Sequence, residues 1–172
     1  MGEGRIRLQT VVSGGQTGVD IAALRAARDA GLAIGGWCPP DRCNEAGPIP
    51  EDFALRATPA ERSPAATHVP RSMRTEWNVR DADATLLLLP ASADTTDPGT
   101  WWTAQCAETY GRPLLQLDPV APDSASALLD WLAAGAFRTL NVAGPRESTA
   151  PGIESRVYDC LLSAFRRAVT DA

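Results

Sequence analysis

The 172-residue chain is long enough for one domain, and 44% hydrophobic with 22% charged residues is the composition of a globular protein rather than a disordered one. Its net charge of −5 argues against nucleic-acid binding, which needs a basic face for the phosphates. The apolar run Leu86–Leu89 is far shorter than the ~20 residues of a membrane helix, and no signal peptide is visible. We therefore expect a cytoplasmic protein with no membrane partner and no nucleic-acid partner.

Two features of composition bear on binding chemistry. Lysine is absent, so every fixed side-chain cation is an arginine. This choice suits bidentate recognition of oxyanions, although a GC-rich genome would produce the same bias. The four cysteines form no CxxC pair and His68 is the one histidine, so a metal site would be poorly supplied with ligands. We predict reduced thiols and no metal ligands.

In chain order, apolar strand patterns alternate with helical ones. Strands are predicted at 6–13, 33–37, 84–89, 113–117 and 139–142. Helices are predicted at 17–30, 76–80, 100–110, 124–134 and 153–169. A proline-rich stretch from about 39 to 72 should be mostly loop. The alternation predicts a single Rossmann-like ligand-binding domain over 1–172, an α/β three-layer sandwich with a mostly parallel sheet.

The turn after the first strand, Ser13 to Gly18, has the strongest chemical signal. Gly14 and Gly15 permit close backbone approach, and the following helix should present free N–H groups to an anion. Gln16, the Thr17 hydroxyl and Gly18 would complete a phosphate cradle. The alternative is a tight turn capped by Thr17 with no ligand. The spacing matches neither GxGxxG nor GxxxxGK[ST], so neither ordinary dinucleotide binding nor NTP hydrolysis is indicated.

A second candidate group is the segment from Arg74 to Asp81, directly before the buried strand. Arg74 is the predicted oxyanion ligand, and Asn78 could contact the same ligand. The alternative is a solvated helix with a Glu76–Arg80 pair at i,i+4 spacing and Trp77 in the core.

Other loops that follow strands add further candidates, because ligands in such sheets sit beyond the carboxyl ends of the strands. Trp37 follows the second strand, and Gly99 with Thr100 follows the leucine-rich one. Arg146 and Ser148 follow the last strand. Ser148 could instead merely cap local structure.

Five blocks, taken together, resemble the molybdenum carrier family, typified by algal and bacterial molybdenum cofactor carrier proteins. They are Ser-Gly-Gly-Gln-Thr-Gly-Val-Asp (13–20), Gly-Gly-Trp-Cys-Pro (35–39), Gly-Pro-Ile-Pro (47–50), Arg-Thr-Glu-Trp-Asn-Val-Arg-Asp-Ala-Asp (74–83) and Leu-Asn-Val-Ala-Gly-Pro-Arg-Glu-Ser (140–148). The resemblance implies a homo-oligomeric, non-catalytic binding protein for molybdenum cofactor (molybdopterin), a pyranopterin phosphate with an oxo-molybdenum group, or for a related phosphorylated pterin or nucleotide. It also implies delivery to a molybdoenzyme.

The resemblance implies roles for the candidate residues. Gly14 to Gly18 would hold the phosphate, with Gly99 and Thr100 from the neighbouring loop. Arg74, Asn78 and Arg146 would contact the remaining oxygens, and Trp37 would flank a ring. The residues 91–102 depart from the family pattern, and Trp101 and Trp102 are expected to narrow or reshape the pocket.

The fold is also similar to that of lonely-guy-type phosphoribohydrolases. Arg74 matches their arginine, but Thr75 replaces their lysine and Thr103 stands where their catalytic glutamate should be. Without that carboxylate the acid/base group is missing, and we predict no catalytic residue. Two alternatives remain: a nucleotide-processing enzyme that uses Glu76 or Glu147 as its acid, and a nucleotide-sensing module.

Overall fold

A computed structural model describes residues 4–93 and 97–170. Its strands are β1 (Thr10–Val12), β2 (Ala33–Gly35), β3 (Trp37–Cys38), β4 (Cys43–Asn44), β5 (Gly47–Pro48), β6 (Arg56–Ala57), β7 (Ala84–Leu88), β8 (Leu114–Leu117) and β9 (Thr139–Ala143). Its α-helices are α1 (Val19–Asp29), α2 (Ser72–Asp81), α3 (Pro98–Thr109), α4 (Ser124–Gly135) and α5 (Ile153–Thr170).

The main sheet has five strands in the order β2-β1-β9-β7-β8, and every pair in it is parallel. The register places Val11 beside Ile34 and Leu140, and Leu86 beside Leu115 and Val142. All five residues of β7 are buried, as expected for a central strand covered on both faces. The predicted α/β three-layer fold with a mostly parallel sheet is confirmed.

The helices cover the sheet because each carries an apolar stripe at helical spacing. In α5 the large, fully buried side chains are Ile153, Val157, Leu161 and Phe165, which recur every four residues. They join buried residues of α1, α4 and the sheet in the largest core cluster. Helices α2 and α3 contribute to a separate cluster around Val79.

Several predicted boundaries are shifted at the edge where the strands end. The first strand, Thr10–Val12, is shorter than the predicted 6–13, and just after it the Ser13 hydroxyl donates to the Val142 carbonyl at 2.6 Å. The predicted strand 33–37 is divided at Gly36, whose φ of 126° suits glycine. Trp37 instead begins β3, which pairs with β6. These changes leave the loops after β1 and β2 facing each other.

The segment 39–71 connects β3 to α2 with little regular structure. It contains the β4–β5 hairpin, a 3₁₀ turn at Glu51–Phe53, and β6. Helix α2 then begins at Ser72, four residues before the predicted start at 76. No helix of the described residues is both long and apolar enough to cross a membrane.

Candidate functional site

A cavity of about 890 Å³ opens at the carboxyl ends of β1, β9 and β7. Gly14 and Gln16 contribute from the loop after β1, Gly144 from the loop after β9, and Pro90 from the loop after β7. The chain leaves β1 toward β2 and leaves β7 toward β8, in opposite directions across the sheet. The cavity therefore lies where parallel α/β sheets usually bind ligands.

Cationic side chains outnumber anionic ones in the cavity lining. Four arginines line it, namely Arg71, Arg74, Arg146 and Arg156. The lining carboxylates are those of Asp20 and Asp97. This excess of guanidinium groups contrasts with the net negative charge of the whole chain, −5. A local positive surface inside an acidic protein favours anionic ligands.

Arg74 and Asp20 form an ion pair at the floor of this site. Nη1 of Arg74 lies 2.9 Å from Oδ2 of Asp20, and the two side chains are only 16% and 6% exposed. Burial raises the pKa of the Asp20 carboxyl above its usual value, while Arg74 and the Gln16 amide oppose that rise. The Nε–H of Arg74 is buried with no hydrogen-bond acceptor among the described residues. Arg74 thus retains a donor that the protein does not satisfy.

The amides at the start of α1 are less free than the sequence suggests. The N–H of Gln16 donates to Oδ2 of Asp20 at 3.2 Å, and that of Thr17 donates to the Gln16 side chain at 2.9 Å. The N–H of Val19 donates to the Pro145 carbonyl at 3.2 Å. Acceptors of the same chain therefore occupy the N–H groups of Gln16, Thr17 and Val19, and the expectation of free amides is corrected for these three. The phosphate cradle predicted at Gly14 to Gly18 stays a prediction.

The side chain of Arg74 also covers the glycine turn. A Cβ atom at Gly14 would overlap its Nη1, so a larger residue there would displace the guanidinium from this position. Thr17 is not the helix cap, because α1 begins at Val19 with Gly18 at the N-cap position and no side-chain cap bond. Beside this loop, the Arg74 guanidinium of α2 supplies a positive charge to the cavity lining.

A second carboxylate, that of Glu45, lies beside the cavity. It accepts hydrogen bonds from the Thr17 hydroxyl, from the Ser148 hydroxyl at 2.5 Å and from the Ser148 N–H at 3.0 Å. Nε of Arg146 lies 3.9 Å from it. We call these four residues the Glu45 cluster. Hydrogen bonds from Ser148 and Thr17 lower the pKa of the Glu45 carboxyl, so it is ionised at neutral pH.

The cavity brings together seven of the twelve residues predicted as ligand-binding. These are Gly14, Gln16, Arg74, Asn78, Gly99, Thr100 and Arg146. The other five lie outside the lining, namely Gly15, Thr17, Gly18, Trp37 and Ser148. Thr17 and Ser148 nevertheless belong to the adjacent Glu45 cluster.

Trp37 and Asn78 are hydrogen-bonded to each other. The Asn78 side chain accepts from the Trp37 N–H at 2.8 Å and donates to the Trp37 carbonyl at 2.9 Å. The Trp37 indole N–H donates to Asp81, and its ring packs edge-on against Trp77. Trp37 does not line the cavity, and its expected contact with a ligand ring stays a prediction.

The start of α3 closes the opposite side of the cavity. The Asp97 carboxylate accepts from the Thr100 N–H at 3.0 Å, and the Thr103 hydroxyl donates to the Gly99 carbonyl at 2.9 Å. Trp102 is buried, and its indole N–H donates to the Ser72 carbonyl, whereas Trp101 is 44% exposed. Neither tryptophan lines the cavity, so the expected narrowing by these rings is corrected.

The two acids considered for an enzyme also lie elsewhere. Glu76 accepts from the Tyr110 hydroxyl, and the predicted Glu76–Arg80 pair is replaced by an Arg80–Asp81 pair at 2.6 Å. Glu147 accepts from the N–H groups of Gly152 and Glu154 at the start of α5. Neither glutamate lines the cavity. A reaction that uses these groups as acids has no support in this arrangement.

Sequence reasoning missed four charged residues of the lining: Asp20, Arg71, Asp97 and Arg156. Asp20 gave a local signal, because a carboxylate in the first helical turn is four residues from Gln16 and can accept its N–H. No local pattern marks Arg156 as a site residue, because α5 lies far along the chain and only the fold brings Arg156 to the cavity. Arg156 makes no ion pair with any residue in 4–93 or 97–170.

Two comparisons with known proteins agree with this architecture. Residues 11–165 match the family described as circularly permutated YpsA SLOG. The chain is also similar to a crystal structure from Syntrophus aciditrophicus SB, provisionally named a molybdenum carrier protein, with 33% identity and a TM-score of 0.80. That match covers 94% of this chain and 96% of the other. No curated protein matches the chain at a significant level. The resemblance identified from the sequence is confirmed, and the chain belongs to the circularly permutated YpsA SLOG family.

Proposed function

We propose that the protein binds molybdenum cofactor, or a related phosphorylated pterin or nucleotide, in the cavity at the strand ends and carries it without transforming it. The observation that supports this most strongly is the lining by Arg71, Arg74, Arg146 and Arg156. Guanidinium groups bind phosphate and oxo groups through strong, charge-assisted hydrogen bonds. Molybdenum cofactor carries both kinds of group, a phosphate and an oxo-molybdenum centre.

The dimensions and the donors of the cavity fit such a ligand. Its volume of about 890 Å³ lies within the ~300–1,000 Å³ common for small-molecule sites. The Arg74 Nε–H lacks an acceptor among the described residues, which leaves a donor for a ligand oxygen. Arg146 is half exposed and Arg156 is exposed, so both can adjust to a ligand at the rim. The relative from Syntrophus aciditrophicus SB carries the molybdenum carrier name, which favours this cargo over other phosphorylated ligands.

Carriage is favoured over catalysis because the carboxylates of the lining are already engaged. Asp20 is paired with Arg74, and Asp97 caps the start of α3. Thr103 hydrogen-bonds the helix backbone where phosphoribohydrolases carry a glutamate. An enzyme or nucleotide sensor remains the alternative. Release of free base from nucleoside monophosphates would support an enzyme. Nucleotide binding without turnover, coupled to a change in oligomeric state, would support a sensor.

The proposal includes two kinds of partner that the resemblance implies. One is further copies of this chain in a homo-oligomer, which sedimentation velocity of the purified protein would measure. The other is a molybdoenzyme that receives the cargo. Reconstitution of an apo-molybdoenzyme by the loaded carrier in one compartment, and its loss when a dialysis membrane that passes free cofactor separates the two proteins, would support direct contact.

The proposed ligand is tested by loading the protein anaerobically with cofactor released from a denatured molybdoenzyme. After gel filtration, pterin and molybdenum are both quantified against protein. The test variant is the double substitution Arg146→Gln/Arg156→Gln, which removes two rim cations. We expect retention to fall roughly tenfold or more, because hydrogen bonds to charged groups contribute about 1.5–3 kcal/mol each.

Arg167→Gln is the matched control, since this arginine lies on the same helix as Arg156 and is exposed. It is eleven residues further along α5, which corresponds to about 16 Å. We expect normal retention in this variant. Equal retention by the double variant and the wild type would contradict the proposed site.

A further inference from the structure

The Glu45 cluster has the composition of an oxyanion-binding site. Two hydroxyl groups, one backbone N–H and one guanidinium group surround a single carboxylate, supplied by Thr17, Ser148 and Arg146. The two loops that supply these donors follow β1 and β9, the strands that border the cavity. Donors of these kinds, converging from two loops, would hold a phosphate as readily as a carboxylate.

Glu45 reaches this position from a small, separate element. It lies at the tip of the β4–β5 hairpin, between Asn44 and Gly47. Two hydrogen bonds join the hairpin to the loop after β1. The Asn44 side-chain amide donates to the Gly15 carbonyl at 2.9 Å, and the Glu45 N–H donates to the Gln16 side-chain oxygen at 3.1 Å. The hairpin is a two-stranded sheet separate from the main sheet, so movement of its tip would break no strand pair of the main sheet.

The Glu45 cluster adjoins the cavity directly. Gln16 and Arg146 contact Glu45 and also line the cavity. The Glu45 side chain is 25% exposed, so solvent and small solutes can reach it. Because its carboxyl is ionised at neutral pH, a second anion cannot share these donors without strong repulsion.

We propose that Thr17, Ser148 and Arg146 form a second oxyanion subsite, and that the Glu45 carboxylate occupies it until an anionic ligand group displaces it. The chemical class of ligand is a phosphate monoester or a free tetrahedral oxyanion. The inference rests on the proposed function for the idea that the ligand is anionic. Glu45 is then an internal competitor, which lowers the apparent affinity by the fraction of molecules in which the subsite is open.

The test is titration calorimetry of the full chain with inorganic phosphate and, separately, with molybdate. Glu45→Ala removes the competitor and leaves the donors, so we expect affinity for both anions to rise about tenfold. Glu45→Ala/Ser148→Ala also removes the Ser148 hydroxyl, one of the four donors, so the gain should be smaller than in Glu45→Ala. Glu51→Ala is the control, because this exposed glutamate lies in the 3₁₀ turn outside the Glu45 cluster and the cavity lining, and it should leave affinity unchanged.

Circular dichroism and thermal melting establish that each variant is folded. If Glu45→Ala does not fold, the isosteric Glu45→Gln decides the question, because it keeps an oxygen acceptor while removing the charge. We expect a smaller gain in anion affinity for it, about threefold, because the amide still competes for the donors. An unchanged or weaker affinity for both anions in the folded variant would overturn the subsite.

The two proposals fail separately. Normal cofactor retention by the wild type, with no gain in anion affinity on removing Glu45, would leave the carrier function and reject the subsite. A gain in anion affinity without any retention of cofactor would support the subsite and reject molybdenum cofactor as the ligand.

Discussion

Two carboxylates beside the same cavity have opposite environments. Asp20 is 6% exposed, lies within the first turn of α1 and pairs with Arg74. Glu45 is 25% exposed and lies on a hairpin tip. Burial raises the pKa of Asp20, whereas hydroxyl donors lower the pKa of Glu45. Under our two proposals, Asp20 is a fixed part of the framework of an anion site and Glu45 is a removable occupant, and this difference follows from their environments.

The largest expected effect comes from breaking the buried pair. Arg74→Ala leaves the Asp20 carboxyl buried without its cation, which typically costs about 3–5 kcal/mol. Urea unfolding at neutral pH should show this loss in the free energy of unfolding. Arg167→Ala, an exposed substitution, should change stability by less than about 0.5 kcal/mol.

A double variant sharpens the interpretation. Asp20→Asn/Arg74→Ala should be more stable than Arg74→Ala alone, because the neutral amide no longer needs a cation. If the two variants are equally stable, the Asp20–Arg74 pair is not the reason for the loss.

A smaller effect is expected where the loops after β1 and β9 meet. Gly18 has φ of 76°, and a Cβ atom there would lie 2.6 Å from the Pro145 carbonyl oxygen. Gly18→Ala should therefore lower the free energy of unfolding by about 1–3 kcal/mol, through backbone strain and this clash. Gly31→Ala is the matched control, since Gly31 has φ of 87° but no atom within 4 Å of the added Cβ. Equal losses of unfolding free energy in the two variants would show that the close approach of the loops adds nothing to the cost of Gly18→Ala.

The smallest effects are the pH dependences of the two carboxylates, which should have opposite signs. The folded-state pKa of Asp20 is raised. Its contribution to stability is therefore present below its unfolded pKa of about 3.9 and is lost as pH rises through the folded value. The folded-state pKa of Glu45 is lowered. Its contribution is present above about 4.3 and is lost as pH falls through the folded value.

Comparison with neutral variants isolates the pH-dependent contribution of each carboxylate to stability. From pH 3 to 7, the wild type should lose stability relative to Asp20→Asn as pH rises, and should gain stability relative to Glu45→Gln. Urea unfolding at several pH values measures both differences. Two differences of the same sign would mean that the environments of these carboxylates are not opposed.

The fold could be read from the sequence because each strand and helix has a local apolar pattern. The run Ala84–Leu88 is apolar at nearly every position because both faces of β7 are covered. The cavity's position followed from the strand ends. Local pattern could not show which amides remain free, since that depends on acceptors contributed by other segments. Arg74 and Asp20 are 54 residues apart, and Ser148 and Glu45 are 103 apart. Such contacts exist only after the chain has folded.

The carrier account is tested most directly by native mass spectrometry of protein purified anaerobically from a molybdenum-replete host. It predicts a bound species whose added mass corresponds to a pterin phosphate with molybdenum, present in the wild type and in Arg167→Gln. The Arg146→Gln/Arg156→Gln variant should lack that species while retaining its fold. A wild-type protein that carries no such ligand, or a double variant that carries as much as the wild type, would contradict the account.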